Sequence, residues 1–353
     1  MKKYYTSADF IKSPKYDAHT HYHTFSDLFV RKANKANLSL LSINTNFDYL
    51  PLDLQFEISK SLHKRHPQSF NFIGSFDASA FYSKTFAVDS IEQIKKCRAA
   101  GARGIKIWKN IGMTLKNESG QYVMADDPVF DSIYAFLEKE RIPLLAHLGE
   151  PRNCWLPLEN MTTSSDVRYF SKSPEFHMYL HPEAPSYEQH LIVRDHILER
   201  FPELIFVGAH LSSMECDLEE IAKRLDRYPN FYVDISGRFS HIIDQTLKNR
   251  DRVIDFFQTY QNRIIYGLDY FVFKEYSQEW INLFCKCFPK IYIYLLFIYL
   301  FRMIKNQWMF FATGEAIKSG SKQIDGLRLE KTIIDRIFYQ NAQFVYFTQN
   351  DNK

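Results

Sequence analysis

Residues Ile142–His147 read Ile-Pro-Leu-Leu-Ala-His, an apolar run that ends in a histidine. Residues Leu204–His210 repeat this arrangement as Leu-Ile-Phe-Val-Gly-Ala-His. Nearly continuous apolar runs of this length are typical of strands that are buried on both faces, as in parallel sheets. The two segments therefore predict a parallel sheet whose strands carry histidines at their carboxyl ends.

Similar strand-like runs recur along the chain and alternate with segments of helical periodicity. Eight such alternations indicate parallel strands joined by helical crossovers, and eight strands close a barrel. We therefore predict an α/β fold, a (β/α)8 TIM barrel. An open doubly wound sheet is the alternative, although no Gly-x-Gly-x-x-Gly turn follows any strand. The predicted strands are Tyr16–His19, Leu38–Asn44, Asn71–Phe76, Gly104–Trp108, Ile142–His147, Leu204–His210, Phe231–Ile235 and Arg263–Gly267.

The helices between these strands are predicted from capping signals and apolar spacing. Ser90 is a candidate N-cap that Gln93 completes as a capping box, and Pro128 favours a first helical turn. The predicted helices are Leu54–His66, Ser90–Ala100, Pro128–Arg141, Ser186–Arg200, Asp217–Tyr228 and Gln245–Tyr260.

We expect residues 1–353 to form a single barrel domain. Residues 149–185, after the fifth strand, are longer than most connections and form a candidate lid. Residues 272–353 form a less typical C-terminal helical part, which contains the apolar run Ile291–Phe301. Because this run is roughly half the length that a membrane span needs, we expect a buried helix or strand, with a membrane-surface segment as the alternative.

The composition, with 46% hydrophobic and 24% charged side chains, is typical of a globular protein. The net charge of +3 comes from basic residues scattered among acidic ones, which argues against a nucleic-acid partner. Five cysteines without a Cys-x-x-Cys pair indicate a reducing compartment, and the N-terminus shows no signal peptide. We expect a cytoplasmic homo-oligomer that acts on a small molecule and does not bind membranes.

The segment His19-Thr20-His21 places two imidazoles at alternate positions. In an extended strand, alternate side chains share a face, so His19 and His21 point the same way. That geometry suits chelation of one metal ion, although a solvated strand end would have the same sequence. His23 has the same parity, but no later motif requires a third histidine there, so we leave it outside the site.

Later strands supply matching groups at the ends where a barrel places its active site. His147 and His210 close the fifth and sixth strands, Asp269 follows the eighth, and Lys106 lies within the fourth. Imidazole and carboxylate groups bind zinc-like metals. Together with the histidine pair of the first strand, these residues predict a metal site.

These residues belong to a set of motifs that follow the strand ends in order. The motifs are Asp17–His21, Gly104–Asn110, Leu145–His147, Gly208–Leu211, Val233–Arg238 and Tyr266–Asp269. As a set they resemble the amidohydrolase superfamily, a class of metal-dependent hydrolases built on (β/α)8 barrels. The closest likeness is to its amidohydrolase-related branch, which includes aminocarboxymuconate semialdehyde decarboxylase and pyrone dicarboxylate lactonase. The resemblance runs from about Asp17 to Asp269 and returns at residues 326–327 and 341–342.

The resemblance implies one divalent metal, usually zinc, with His210 beside it as a catalytic acid/base. Lys106 stands where two-metal members carry a carboxylated lysine, so that two ions are one alternative, and a lysine that pairs with a carboxylate or an anionic substrate is the other. Leu268 departs from the family, which usually has Thr or Ser before the aspartate. The implied metal ligands are His19, His21, His147, Asp269 and, in a two-metal site, Lys106.

Such a site predicts hydrolysis of an amide, lactone or ester of a small, carboxylated substrate by metal-activated water, with His210 and Asp269 as the residues that move the proton. Non-oxidative decarboxylation of a small carboxylic acid is the alternative, and an inactive barrel that acts as a binding protein is the alternative of another class. Arginines can pair bidentately with a carboxylate, although a structural ion pair is also open to them. The candidate substrate contacts are Arg238, Arg152, Trp108 and His181.

Overall fold

The computed structural model describes residues 3–46, 50–272, 289–319 and 322–348. Nine strands form one sheet in which all neighbours run parallel. These strands are β1 (Lys15–Tyr22), β2 (Leu38–Ile43), β3 (Phe70–Ser75), β4 (Ile105–Ile107), β5 (Leu144–Ala146), β6 (Phe206–Gly208), β7 (Phe231–Asp234), β8 (Ile264–Ile265) and β9 (Tyr270–Val272). A separate antiparallel hairpin joins β10 (Ala316–Ser319) to β11 (Lys322–Asp325).

The eighth strand is divided in two, and hydrogen bonds from both sides of the break to β1 join the ends of the sheet into a barrel. β8 pairs with β7, whereas β9, which follows residues 266–269, pairs with β1. Between the two halves, the backbone N–H of Ala18 donates to the carbonyl of Tyr266 at 3.1 Å, and that of Asp269 donates to the carbonyl of His19 at 2.8 Å. The predicted (β/α)8 fold is confirmed, with the divided eighth strand as an unforeseen feature.

Helices alternate with the strands and cover the outside of the barrel. They are α1 (Leu28–Asn34), α2 (Leu52–Arg65), α3 (Phe86–Ala99), α4 (Asp131–Lys139), α5 (Ser164–Phe170), α6 (Tyr187–Arg200), α7 (Leu218–Arg227), α8 (Phe239–Lys248), α9 (Arg250–Thr259), α10 (Pro289–Ala312) and α11 (Lys331–Asp335), which continues in further helical turns to Thr348. Short 3₁₀ turns and α5 occupy the connection 149–185.

Two predicted helices differ from the observed ones. α3 begins at Phe86, so Ser90 lies inside the helix and is buried, while the Gln93 side chain accepts a hydrogen bond from the backbone of Asp77. The predicted capping box is therefore wrong, because the buried Phe86 extends the apolar face by one turn. The predicted helix Gln245–Tyr260 is two helices that meet at Asn249, whose side chain caps α9.

The barrel core has two layers, which follow from the alternation of side chains along each strand. An outer layer, which includes Phe72, Leu144 and Phe206, packs against the helices. The inner layer lies inside the barrel and meets the C-terminal helical turns; it includes Leu41, Ile73, Leu145, Val207, Ile265, Ala342, Val345 and Tyr346. Polar residues that share the parity of the inner layer therefore face the barrel axis, as Lys106, His147 and Asp234 do.

The apolar run Ile291–Phe301 lies in α10 and is only partly buried. Phe297 packs against Phe29, and Phe301 packs against Phe10, with ring centroids 5.4 and 5.1 Å apart. Ile298 and Tyr299, on the other face, are 48% and 60% exposed. The run is thus helical, as expected, but only one face of the helix is buried. Among the described residues, no helix combines the length and the apolarity needed to cross a bilayer.

Candidate active site

A cavity of about 520 Å³ opens at the carboxyl ends of the strands. The sequence-predicted residues that line it are His19, His21, Lys106, Trp108, His147, His210, Arg238 and Asp269. Two predicted substrate contacts are not among its lining residues in the described structure. Arg152 is exposed, and Nε2 of His181 lies 3.0 Å from the carbonyl of Pro174.

The histidines of β1 point into the cavity because the pairing of β1 with β2 is irregular. Tyr16 and Ala18 belong to the inner core layer, yet His19 and His21, of the opposite parity, line the cavity. The register between β1 and β2 shifts between Asp17 and Thr20, which reverses the alternation of faces. A β-bulge thus aims two imidazoles at the barrel axis.

Both histidines of β1 are oriented through their Nδ1 atoms. His19 donates from Nδ1 to Oδ2 of Asp234 at 2.8 Å, and His21 donates from Nδ1 to the carbonyl of Ile43 at 3.1 Å. Their Nε2 atoms consequently face Oδ1 of Asp269, at 3.9 and 3.5 Å respectively. Hydrogen bonds of this kind fix the tautomer and the ring orientation of metal-binding histidines.

Asp269 lies at the break in the eighth strand and has a positive φ of 61°. Burial opposes ionisation of its carboxyl group, but His21, His210 and His19 together hold the pKa of Asp269 well below its ordinary range. The carboxylate is therefore ionised. Its neighbour Leu268, the residue at which the sequence departs from the family, donates its backbone N–H to Asp17.

His147 and His210 complete the histidine cluster, with ring centroids 4.3 Å apart. Burial and nearby charges hold the pKa values of both imidazoles well below the ordinary range, so both are neutral. Nε2 of His147 is buried and has no hydrogen-bond partner among the described residues. Neutral imidazoles, an ionised carboxylate and a buried ring nitrogen that makes no hydrogen bond to the described residues fit a divalent metal ion.

His210 opens a left-handed turn after β6, and Asp234 holds this turn in place. The backbone N–H of His210 donates to Oδ1 of Asp234 at 2.8 Å, while Nδ1 of its ring lies 2.9 Å from the carbonyl of Ser236. Asp234 therefore orients His19 with one oxygen and His210 with the other. Sequence reasoning gave Asp234 no role, although it ends β7 just as a histidine follows β5.

Lys106 projects from β4 into the cavity, where its side chain is buried. Its Nζ has no hydrogen-bond partner among the described residues. Burial lowers the pKa of Lys106 to about 8, whereas the charges of Asp234 and Asp269 act in the opposite direction. These carboxylates are the groups with which the ammonium form would pair.

The outer wall of the cavity contains residues that sequence reasoning missed. Lys109 donates hydrogen bonds to Glu150 and, at 2.8 Å, to the hydroxyl of Tyr169, and its Nζ lies 3.9 Å from the ring centroid of Phe176. Three of these residues come from the connection 149–185, whose role as a lid stays a prediction. No periodicity marks them in the sequence; the only signal is that Glu150 follows His147 by three positions.

Comparison with known proteins supports the fold and the family. The amidohydrolase family model (Amidohydro_2) matches residues 78–348, which is more than half of the chain, although β1 and its histidines precede the match. A crystal structure of an amidohydrolase II is 14% identical, covers 94% of this chain and 99% of its own, and superposes with a TM-score of 0.50. The search of curated proteins found no match.

Two other solved structures are similar over most of the chain. The 4-oxalomesaconate hydratase of Rhodopseudomonas palustris is 11% identical, with 94% of this chain and 95% of that chain covered and a TM-score of 0.47. An amidohydrolase 2 from Bifidobacterium longum subsp. infantis is 12% identical, with coverages of 95% and 98% and a TM-score of 0.44. The chain belongs to the amidohydrolase family, and it is an enzyme of the metal-dependent amidohydrolase type.

Proposed function

We propose that this enzyme hydrolyses an amide, lactone or ester of a small, carboxylated substrate by means of metal-activated water. The observation that carries the proposal is the convergence of His19, His21 and Asp269, whose ligand atoms all lie within 4.8 Å of one another. His147 is the fourth proposed ligand. Because the donor set combines imidazole nitrogen with carboxylate oxygen, we propose a single zinc ion.

A divalent ion held there supplies Lewis-acid chemistry, which polarises a carbonyl and lowers the pKa of a water molecule to about 7. We assign the proton transfers to side chains of the protein. His210 is neutral, and its Nδ1 is held at the carbonyl of Ser236, so its Nε2 is the atom that takes up or delivers a proton. Asp269 is ionised and lies beside His210, which makes it the second proton acceptor.

The remainder of the cavity provides the proposed substrate contacts. Arg238 offers a guanidinium group, which pairs with a carboxylate, and Trp108 offers an aromatic wall. Lys106 adds a cation near the metal end, where it can pair with an anionic substrate. The cavity of about 520 Å³ sets the size of the substrate at that of a small molecule.

Metal analysis and a substrate screen test this proposal together. We expect purified protein to contain one zinc ion per chain and to hydrolyse a member of a panel of lactones, amides and esters that carry a carboxylate. Carbon dioxide release without hydrolysis would favour the decarboxylase alternative. Two ions per chain would make Lys106 a bridging ligand.

A pair of histidine variants separates a specific metal loss from general damage. His19→Ala should lose both the metal and the activity, because it removes one ligand of the cluster. His196→Ala is the matched control, since His196 is paired with Asp126 away from the cavity, 52% of its side chain is exposed, and the variant should keep both properties. If neither variant alters metal content or activity, the proposed function is wrong.

A further inference from the structure

Buried charges of alternating sign link the loops above four neighbouring strands. Lys109 follows β4, Glu150 follows β5, Glu215 follows β6 and Arg238 follows β7. Ion pairs join Lys109 to Glu150, Glu150 to Arg238 and Arg238 to Glu215. Each of these side chains is at least nine-tenths buried. Because taking ions out of water is costly, such a chain persists only when its members compensate one another.

Two members of this set of charges, Lys109 and Arg238, line the cavity. They differ in how closely neighbouring acceptors already bind them. The ammonium of Lys109 donates to Glu150 and to Tyr169. Arg238 lies 3.6 Å from Glu150 and 3.4 Å from Glu215, and it donates a weak hydrogen bond of 3.4 Å to the carbonyl of Gly237. Charge-assisted hydrogen bonds are about 2.7–2.9 Å long, so Arg238 is attracted by both carboxylates without being bonded closely by either.

The guanidinium of Arg238 therefore keeps donors available at the cavity wall. Its Nε is buried and faces Glu215 at 3.4 Å, so the donors in question are the terminal amino groups. Nη1 donates only weakly to Gly237, and Nη2 lies 3.6 Å from Glu150, beyond hydrogen-bond distance. The charges of Glu215 and Glu150 raise the pKa of Arg238 against the opposing effect of burial, so the group stays charged. A charged guanidinium with unused hydrogen-bonding capacity is suited to bind a carboxylate through two parallel hydrogen bonds.

Glu215 lies behind Arg238 and outside the cavity lining. It is 1% exposed, and neither carboxylate oxygen has a hydrogen-bond partner among the described residues. Within the described residues, Glu215 forms its ion pair with Arg238, whose Nε lies 3.4 Å from Oε2.

We propose that Glu215 is a positioning residue that orients the guanidinium of Arg238 for recognition of a substrate carboxylate. The inference deepens the proposed function and rests on it for the carboxylated substrate. It concerns the binding of the anion and not the hydrolysis. Lys109, whose ammonium already binds Glu150, serves to hold the outer wall together.

The rival explanation is that Glu215 merely neutralises excess positive charge, and the two roles predict opposite effects of Glu215→Gln. This change removes the charge and keeps the shape of the side chain. If Glu215 positions Arg238, its loss allows the guanidinium to move and weakens anion binding. If Glu215 only neutralises, its loss leaves Arg238 more attractive to anions and strengthens anion binding.

Calorimetric titration of the zinc-loaded full chain with benzoate and with benzamide, its neutral counterpart, measures this effect. We expect a preference for benzoate that Arg238→Gln abolishes. Glu215→Gln should weaken benzoate binding by about tenfold, the effect of misplacing one close charge pair, and leave benzamide binding unchanged. Glu220→Gln is the matched control, because Glu220 pairs with Arg224 on α7 outside the cavity, and it should bind both probes normally.

Several outcomes would overturn the inference. Equal or tighter benzoate binding by Glu215→Gln assigns Glu215 to neutralisation, and an equal loss of both probes assigns it to general structure. Unchanged benzoate binding by Arg238→Gln places the anion at the metal end. If Glu215→Gln does not fold, Glu215→Asp retains the charge but retreats from Arg238, and it must still weaken benzoate binding. Activity on lactones or esters is scored separately, so hydrolysis without any benzoate preference would contradict this inference alone.

Discussion

The carboxyl ends of β1 and β6 both bring histidine to the cavity, but their backbones do so differently. β1 remains a strand through His19 and His21. After β6, the chain instead makes a left-handed turn in which four consecutive residues from His210 to Ser213 have φ values of 60, 54, 57 and 57°. None of them is glycine, and a left-handed conformation costs other residues roughly 1–2 kcal/mol each. The first end contains a register shift but no residue with a positive φ, whereas the second adopts a conformation that its residues disfavour.

The surroundings of the β6 turn explain how it persists. Asp234 accepts from the backbone N–H of His210, Leu211 is fully buried, and Ser213 donates to the carbonyl of Gly149. Strained conformations survive where such contacts over-determine them, and they cluster at functional sites. The proposed metal ligands of β1 therefore come from an extended backbone, while the β6 turn holds the proposed proton-transfer group at some cost in stability.

The largest expected effect comes from breaking the β1 end. His21→Ala removes a proposed ligand, so we expect loss of the bound metal and, with it, of all metal-dependent turnover. Metal content by atomic spectroscopy and activity on the same sample measure the two losses. His23→Ala, in the same chain segment but outside the cavity lining, should retain the metal. Equal metal loss in both variants would contradict the assignment of His21.

A substitution in the turn after β6 should lower turnover without removing the metal. His210→Ala should keep the metal, because His210 is the acid/base in the proposed site, and turnover should fall by about 10²–10⁴-fold, the usual contribution of such a group. The same two measurements apply. Metal loss as complete as in His21→Ala would make His210 a ligand and remove the functional contrast between the two ends.

A smaller effect on metal affinity or activity is expected from changing Asp234, which bonds residues of both strand ends. Asp234→Asn replaces the carboxylate that holds both the ring of His19 and the backbone of His210. We expect a loss of about 10–100-fold in metal affinity or activity, the range found for groups that orient metal ligands. Competition with a chelator measures the affinity. Asp226→Asn serves as the control, since Asp226 accepts a hydrogen bond from Tyr260 on the surface, and wild-type behaviour of Asp234→Asn would mean that neither histidine needs it.

The same contrast explains which features the sequence could predict. The barrel and the residues at the ends of its strands followed from apolar runs, because burial on both faces leaves a direct trace in composition. The bulge in β1 and the left-handed turn after β6 have no recognisable sequence pattern. Their conformations depend on residues distant in the chain, such as Asp234. Lys109 and Glu150 were missed for the same reason. Their side chains come into contact only when the loops after β4 and β5 have folded.

The smallest effect is a gain in stability. Ser212 has a positive φ of 57°, is 2% exposed, and its hydroxyl has no hydrogen-bond partner among the described residues. Ser212→Gly relieves the strain and removes the unpaired hydroxyl, so we expect the free energy of unfolding to rise by about 1 kcal/mol in chemical denaturation. The control is Ser39→Gly in the extended β2, where glycine should lower that free energy by about 0.5–1 kcal/mol. A loss of stability in both variants would mean that the β6 turn is not strained, whereas a gain accompanied by slower turnover would show that the strain keeps His210 in its working position.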